Sequence, residues 1–338
     1  MGAIEHADDR RGAVVKPFAA PTVVVSKCLG FDHCRYNGQM IPDEFVENLA
    51  PCVEFRPVCP EMEIGLGVPR DPIRVVVAGG APRLMQPSTG RDVTEAMEAF
   101  AASYLGGLSV PDGFLLKNRS PSCGLSDVKV YASADEGARS VRGSGFFGAA
   151  VLAAFPRAAV EDEGRLKNFR LRQHFLTKLF TLADFRAVRQ AAAMSELVAF
   201  QARNKLLLMA YHQAEMRVLG RIVANLDRRP LDEVLARYAQ HLGDALARPP
   251  RCTAHINVLM HALGYFSDGL SSAEKAFFLD SLQKYRDGKL PVASLISLLR
   301  SWIVRFQEPY LMRQTYFEPY PEALIDLTDS GKEIACAE

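Results

Sequence analysis

Arg56-Pro57-Val58-Cys59-Pro60-Glu61 is the stretch on which the reading of this chain turns. The segment VEFRPV at 53–58 is apolar and partly β-branched, so it reads as a short strand, and Pro60 ends it because proline cannot extend a strand's hydrogen-bond ladder. Cys59 therefore stands at a strand end. Two more cysteines occupy the same kind of place: TVVVSKCLG at 22–30 is a β-branched run ending at Cys28, and GFLLKNRSPSCG at 113–124 is an apolar strand followed by a Ser-Pro turn and Cys123. Three such strands would deliver their cysteines to the carboxyl edge of an open α/β sheet, where such sheets bind ligands. The plain alternative is three unrelated buried thiols. Against it, each cysteine is flanked by glycine, proline or polar turn residues and not by an apolar run.

The 338 residues suffice for two domains, each with its own core, and 49% apolar with 23% charged residues is a globular composition. No run approaches 18 apolar residues, and the first twenty, with Asp8, Asp9, Arg10 and Arg11, lack a continuous secretory core. The expected location is the cytoplasm. In that reducing compartment seven scattered cysteines favour metal binding or catalysis over disulfides. Charge is unevenly spread: residues 165–313 hold 23 Lys and Arg against 12 Asp and Glu, a local +11, whereas 1–164 and the tail from 314 each come to −5. A basic C-terminal module is an electrostatic footprint for nucleic acid; its alternative is ordinary helix-surface arginine.

In chain order, 1–20 reads as a mobile lead-in and the first domain as 21–158. LGFDHCRYNG after Cys28 is a polar loop that brings Arg35 near the first cysteine. GLG at 65–67 is not a dinucleotide fingerprint, so no nucleotide cofactor is assigned. Strands at 73–77, 114–116 and 128–131 alternate with helices starting at Asp92 and near 145, which argues an α/β domain with an open, mainly parallel sheet. The stretch from Pro156 to Arg165, with Glu161, Asp162 and Glu163, reads as the domain boundary. Apolar residues then recur at three and four, giving an all-α domain over 165–323 with breaks near Thr181 and Ser195, and 324–338 as a tail.

Cys28, Cys59 and Cys123 are too far apart in sequence for a local metal ribbon. Three thiolates with His33 suit zinc; three thiolates alone suit a 4Fe-4S cluster with one open iron, a soft Lewis acid matched to a sulfur-bearing substrate. Glu61 and Ser120 could activate water and position the attacked atom, and Lys117 and Arg35 could contact a base oxygen or a phosphate. In the second domain, Lys205, Arg217 and Arg221 fall on one long helix, the two arginines on one face at i,i+4. His255 and His261 lack the HExxH spacing; these and His212 read as core or capping residues.

SKCLGFDHCRYNG at 26–38, RPVCPEMEIGLGVPR at 56–70 and KNRSPSCG at 117–124 resemble the thiouracil and RNA 4-thiouridine desulfidases. KLLLMAYHQAEMRVLGRIVAN at 205–225, TAHINVLMHALGYF at 253–266, YRDGKLPVASLISLLRSWIVRF at 285–306 and QTYFEPYP at 314–321 resemble the helical domain fused to that module in RNA-acting members. The resemblance implies one 4Fe-4S cluster held by Cys28, Cys59 and Cys123 with one iron open, Glu61 and Ser120 as catalytic positions, and hydrolytic sulfur removal without redox change. It implies tRNA carrying 4-thiouridine as substrate, held by the second domain; free 4-thiouracil, or a structural zinc in an RNA-binding protein, are the alternatives. Asn37 departs from the family's Arg-Tyr-Asp-Gly, so no carboxylate role falls there, and Cys34 adds a thiol to the first loop.

Overall fold

The computed structural model describes residues 18–326 except Glu136. Most of the lead-in (1–17) and of the tail (327–338) lies outside the described residues. The chain runs β1 (Thr22–Ser26), α1 (Glu44–Leu49), β2 (Glu54–Val58), α2 (Pro60–Glu63), β3 (Arg74–Ala78), β4 (Ala81–Gln86), β5 (Arg91–Asp92), α3 (Thr94–Gly106), β6 (Gly113–Leu116), β7 (Val128–Tyr131), β8 (Ser140–Gly143), α4 (Phe146–Ala154) and β9 (Ala159–Asp162). Helices α5 (Phe169–Ala191), α6 (Met194–Arg203), α7 (Lys205–Ala224), α8 (Leu231–Ala245), α9 (Cys252–Gly264), α10 (Ser272–Arg286), α11 (Val292–Phe306) and α12 (Pro309–Met312) follow.

The first sheet is wholly parallel, in the order β2-β1-β6-β9. Its central strands β1 and β6 are buried along their whole length, as expected of a sheet covered on both faces. Val24, Phe114 and Leu116 pack on one side with α3 and α4; Val23, Val25 and Leu115 pack on the other against α1 and Phe175, Leu176 and Leu179 of α5. The first helix of the C-terminal half is thus part of the first domain's core, and so are Tyr320 and Leu324 near the chain's end.

Three expectations change. Strands β3 and β7 leave the parallel sheet and build a second, mixed one, β5-β4-β3-β7-β8, because Gly79 and Gly80, both at positive φ, turn β3 straight back onto β4 as a tight hairpin. Within the stretch read as the domain boundary, residues 159–162 form the edge strand β9, paired with β6 from Gly113↔Ala159 to Leu116↔Asp162. Helix α5 runs through Thr181, whose hydroxyl bonds back to the Thr177 carbonyl; the break comes at Ala192, in the left-handed region.

Helix α7 is not one straight element. His212 is non-helical (φ −157°, ψ 93°) and its Nδ1 accepts the Glu215 amide at 3.2 Å, so it caps a new helical segment. Lys205 lies before that kink and Arg217 and Arg221 after it. No helix among the described residues is long and apolar enough to cross a membrane.

Candidate active site

The register of the parallel sheet assembles the site. Ser26 pairs with Val58, the Lys27 amide donates to the Val58 carbonyl at 2.8 Å, and the Lys117 amide donates to Ser26 Oγ at 2.9 Å. The three strand ends are thereby fixed side by side, and Cys28, Cys59 and Cys123 line one cavity of about 360 Å³ beyond them. Cys59 sits directly before α2: Pro60 at the first helical position starts the turn, the Met62 amide bonds back to the Cys59 carbonyl at 3.0 Å, and Glu61 is carried into the same cavity.

The loop bearing Cys123 is held from the other side. The amides of Phe146 and Gly148, at the start of α4, donate to the carbonyls of Pro121 (3.2 Å) and Ser122 (3.0 Å), so the loop caps the helix. Glycine is required for this approach. A Cβ on Gly145 would meet the Ser122 carbonyl oxygen at 2.6 Å and one on Gly148 the Cys123 carbonyl oxygen at 2.7 Å.

Cys34 lines the cavity too and is buried. As free thiols these groups resist ionisation: a hydrogen bond with Cys28 drives Cys34 up to about 11, a hydrogen bond with Cys34 and then burial raise Cys59, and burial pushes Cys123 up to about 12. Such thiols are poor free nucleophiles at neutral pH; they become thiolates when a cation takes the proton's place.

A polar chain runs beside them. Arg70 clasps Glu61 Oε2 through Nε (3.0 Å) and Nη2 (2.7 Å) and spans to the Cys34 and Gly67 carbonyls through Nη1. Ser122 Oγ donates to Glu61 Oε1 at 2.7 Å. With its single proton so used, Ser122 accepts at 2.9 Å from Ser120, whose oxygen in turn receives the Cys123 amide at 3.1 Å. Ser120 and Glu61 are therefore brought together through Ser122, not directly. Neither Ser122 nor Arg70 was assigned a role from the sequence; a second hydroxyl at Ser-Pro-Ser-Cys was the available signal for Ser122, and for Arg70 its place at the end of RPVCPEMEIGLGVPR.

Lys117 and Arg35 also line the cavity. Lys117 is committed to Glu163, delivered by the end of β9, and to the Asn118 side chain. Among the described residues, the Arg35 guanidinium donates only to Gln39 Oε1, at 3.4 Å, and lies over the Tyr36 ring. Lys205, Arg217 and Arg221 are exposed on the other domain and do not line this cavity. His33 is on the first loop with Nδ1 near the Gly38 carbonyl, outside the cavity walls.

Fold and site together define an α/β protein with a thiol-lined pocket at the carboxyl edge of a parallel sheet, joined to an all-helical domain. A sequence model of the 2-thiouracil desulfurase family matches residues 23–163, and one of a family of unknown function, DUF1722, matches 205–321. The Bacillus subtilis (strain 168) uncharacterized protein YbbK is 32% identical over 149 residues, 42% of this chain and 96% of its own. The Escherichia coli (strain K12) uncharacterized protein YbgA is 29% identical over 158 residues, 46% of this chain and 93% of its own. A solved structure of the [4Fe-4S]-dependent thiouracil desulfidase TudS has 28% identity and a TM-score of 0.34, covering 43% of this chain and 93% of that one. The chain belongs to the 2-thiouracil desulfurase family, with a DUF1722 region following that module.

Proposed function

We propose that this protein hydrolyses 4-thiouridine in tRNA to uridine: the oxygen of water replaces sulfur on the pyrimidine carbon, the sulfur leaves as hydrogen sulfide, and no electrons are transferred. The observation that carries this reading is the meeting of Cys28, Cys59 and Cys123 with the Glu61–Ser122 pair in one cavity, in a chain of the desulfurase family.

The donor set fits a 4Fe-4S cluster better than a single ion. Zinc, with Zn–S bonds of about 2.3 Å, would need sulfurs gathered to within about 3.8 Å of one another. Among the described residues no three His, Cys, Asp or Glu side chains converge to hold one metal ion. Three thiols on three separate strand ends around a cavity suit a larger group. Held by Cys28, Cys59 and Cys123, the cluster would supply a soft Lewis-acid iron for the substrate's sulfur. The chain's own residues handle protons and position. Arg70 occupies Glu61 Oε2, so Oε1 is the oxygen that accepts the proton of the attacking water; Ser122 holds that oxygen in place, and Ser120 fixes Ser122.

The second domain supports RNA as substrate through its local +11 and the exposed Lys205, Arg217 and Arg221. A free thiobase is the second reading, favoured by one observation: every residue of the thiol cavity lies within 23–163, the span of the family match. Anaerobic turnover of equal concentrations of thiolated tRNA, 4-thiouridine and 4-thiouracil decides between them. Preference for tRNA is expected; preference for either small compound defeats the RNA assignment.

A further inference from the structure

A second cavity, of about 200 Å³, lies in the helical domain and has no part in the chemistry above. It sits where three helices begin. Phe169 and Arg170 at the start of α5, His255 in the first turn of α9, and Val292 and Ala293 at the start of α11 all line it. Amides in a helix's first turn have no partner within the helix and carry the positive end of its dipole. Helix α5 is capped by Asn168, which accepts the Leu171 amide at 3.1 Å, whereas α9 and α11 have no side-chain cap, and none of the three helices has an acidic residue in its first turn. Elsewhere in the domain, α6, α8 and α10 carry Glu196, Asp232 with Glu233, and Glu274 in theirs; of the other long helices only α7 has none.

Arg170 adds a full positive charge. Its Nη2 donates to the Pro250 carbonyl at 3.0 Å, and no carboxylate among the described residues pairs with it. Two imidazoles stand beside it. Burial, then the charges of Lys178 and Arg170, push His174 down to about 4; burial and Arg170 do the same to His255. Both rings are neutral at physiological pH. Nδ1 of His174 shares a hydrogen bond with the Tyr211 hydroxyl (3.2 Å) and Nδ1 of His255 one with Tyr316 (2.8 Å), leaving each Nε2 without a partner among the described residues. Phe317 and Tyr320 form an aromatic part of the remaining wall, and Leu207, Val292 and Ile296 an aliphatic part. The two carboxylates, Glu318 and Glu322, come from the C-terminal segment, and Glu322 faces Arg300 at 3.9 Å.

We propose that this cavity binds a nucleotide, its phosphate on Arg170 and the uncapped start of α11, its base against Phe317 and Tyr320 with the imidazole Nε2 atoms at its polar edge. A cavity of about 150 Å³ takes a benzene ring, so this one admits a pyrimidine or purine ring with the phosphate toward its mouth. Aromatic side chains that stack a base and cations that hold its phosphate are the usual means of recognising single nucleotides. The source is either a nucleotide of RNA or a free mononucleotide. The proposal does not rest on the desulfidase reading, because the two cavities share no lining residue.

The test is calorimetric titration of the full-length protein with uridine and adenosine 5′-monophosphates, the two nucleosides and inorganic phosphate. Saturable binding of a monophosphate, tighter than its nucleoside or phosphate alone, is expected. Arg170→Gln weakens it at least about tenfold, the loss of one charge-assisted contact. Ala293→Asp serves where Arg170→Gln fails to fold: an acid in a first turn suits the helix, yet it opposes a phosphate, so binding falls while the thermal midpoint holds. Displacement of the bound nucleotide by a short 5′-phosphorylated RNA assigns the RNA source; saturable binding without displacement assigns the free nucleotide. Cys59→Ala protein binds as the parent does, which separates this site from the desulfidase reading. No saturable binding of either monophosphate, or binding indifferent to both Arg170→Gln and Ala293→Asp, overturns the proposal.

Discussion

The two cavities are built in opposite ways. The thiol cavity is assembled by short loops at the ends of neighbouring parallel strands, and its walls come from residues 26–123. The helical cavity gathers walls from residues 169–325 across four helices and the terminal segment. The first holds soft sulfur donors, with Cys34, Cys59 and Cys123 all pushed up from the ordinary thiol value, and a carboxylate clasped by Arg70. The second holds Arg170, two imidazoles kept neutral by burial, and two carboxylates from the terminal segment, Glu318 and Glu322. The two proposals together assign bond breaking to the sheet edge and capture to the helices.

The strongest way to test that division is to remove thiols. Cys28→Ala, Cys59→Ala and Cys123→Ala should each lose iron and acid-labile sulfide on anaerobic reconstitution, with turnover at background, while Cys52→Ala, whose thiol lies outside the cavity, keeps both. Cys34→Ala tests the fourth thiol: retained iron supports the three-cysteine set, whereas loss of iron with Cys34→Ala and retention with Cys28→Ala would replace Cys28 by Cys34.

Next in size is the proton chain. Glu61→Gln should retain iron and lower kcat by about 10²–10⁴, the range for a general base. Ser122→Ala should cost about tenfold to a hundredfold, since Ser122 touches Glu61, and Ser120→Ala should cost less, acting one bond further out. If Ser120→Ala is the more damaging, Ser120 contacts substrate directly and the chain through Ser122 is not the working path.

The contrast between the regions also explains what the sequence revealed. Strand ends announce themselves through β-branched runs cut by Gly, Pro and Cys, so β1, β2 and β6 and their three cysteines were legible, as were the α/β and all-α classes. Contacts made over distance were not. Arg70 reaches Glu61 from nine residues on, and Glu163 reaches Lys117 from just after a strand whose charged end reads in sequence as a domain boundary. His212 breaks α7 without disturbing the three-and-four apolar spacing, because its neighbours Tyr211 and Met216 still face the core. The helical cavity left no sequence signal at all: its histidines and tyrosines lie among apolar residues and read as packing.

Acid and base stress should separate the regions with opposite sign. His174 and His255, at about 4 in the folded state against 6.5 ordinarily, bind fewer protons folded than unfolded, so stability is lost as pH falls from 6.5 toward 4, by at most about 3 kcal/mol each. Asp162, raised by burial to about 6 from 3.8, works the other way: it contributes instability as pH rises from 4 to 6, again at most about 3 kcal/mol. Trp302, the single tryptophan, is buried in the helical core and reports that region. Its urea midpoint should drop between pH 7.5 and pH 5; an unchanged midpoint would mean the two imidazoles are as easily protonated folded as unfolded.

The smallest expected effect probes the outer face of the helical domain. Arg217 and Arg221 are exposed, one turn apart beyond the His212 kink, and neither has an ion-pair partner among the described residues. If both meet phosphates, replacing the pair with alanine should reduce the slope of log affinity for tRNA against log salt by about 1.4, at roughly 0.7 per single-stranded phosphate. Lys205, before the kink, belongs to a different helical segment, and its replacement tests whether the RNA path crosses the bend: a further drop of about 0.7 in the triple variant places all three on one track. An unchanged slope for Arg217 and Arg221 together would take the phosphate path off this face. Because these residues lie outside both cavities, kcat on a free thiobase should not respond to any of the three substitutions, and a fall in it would break the separation of capture from chemistry.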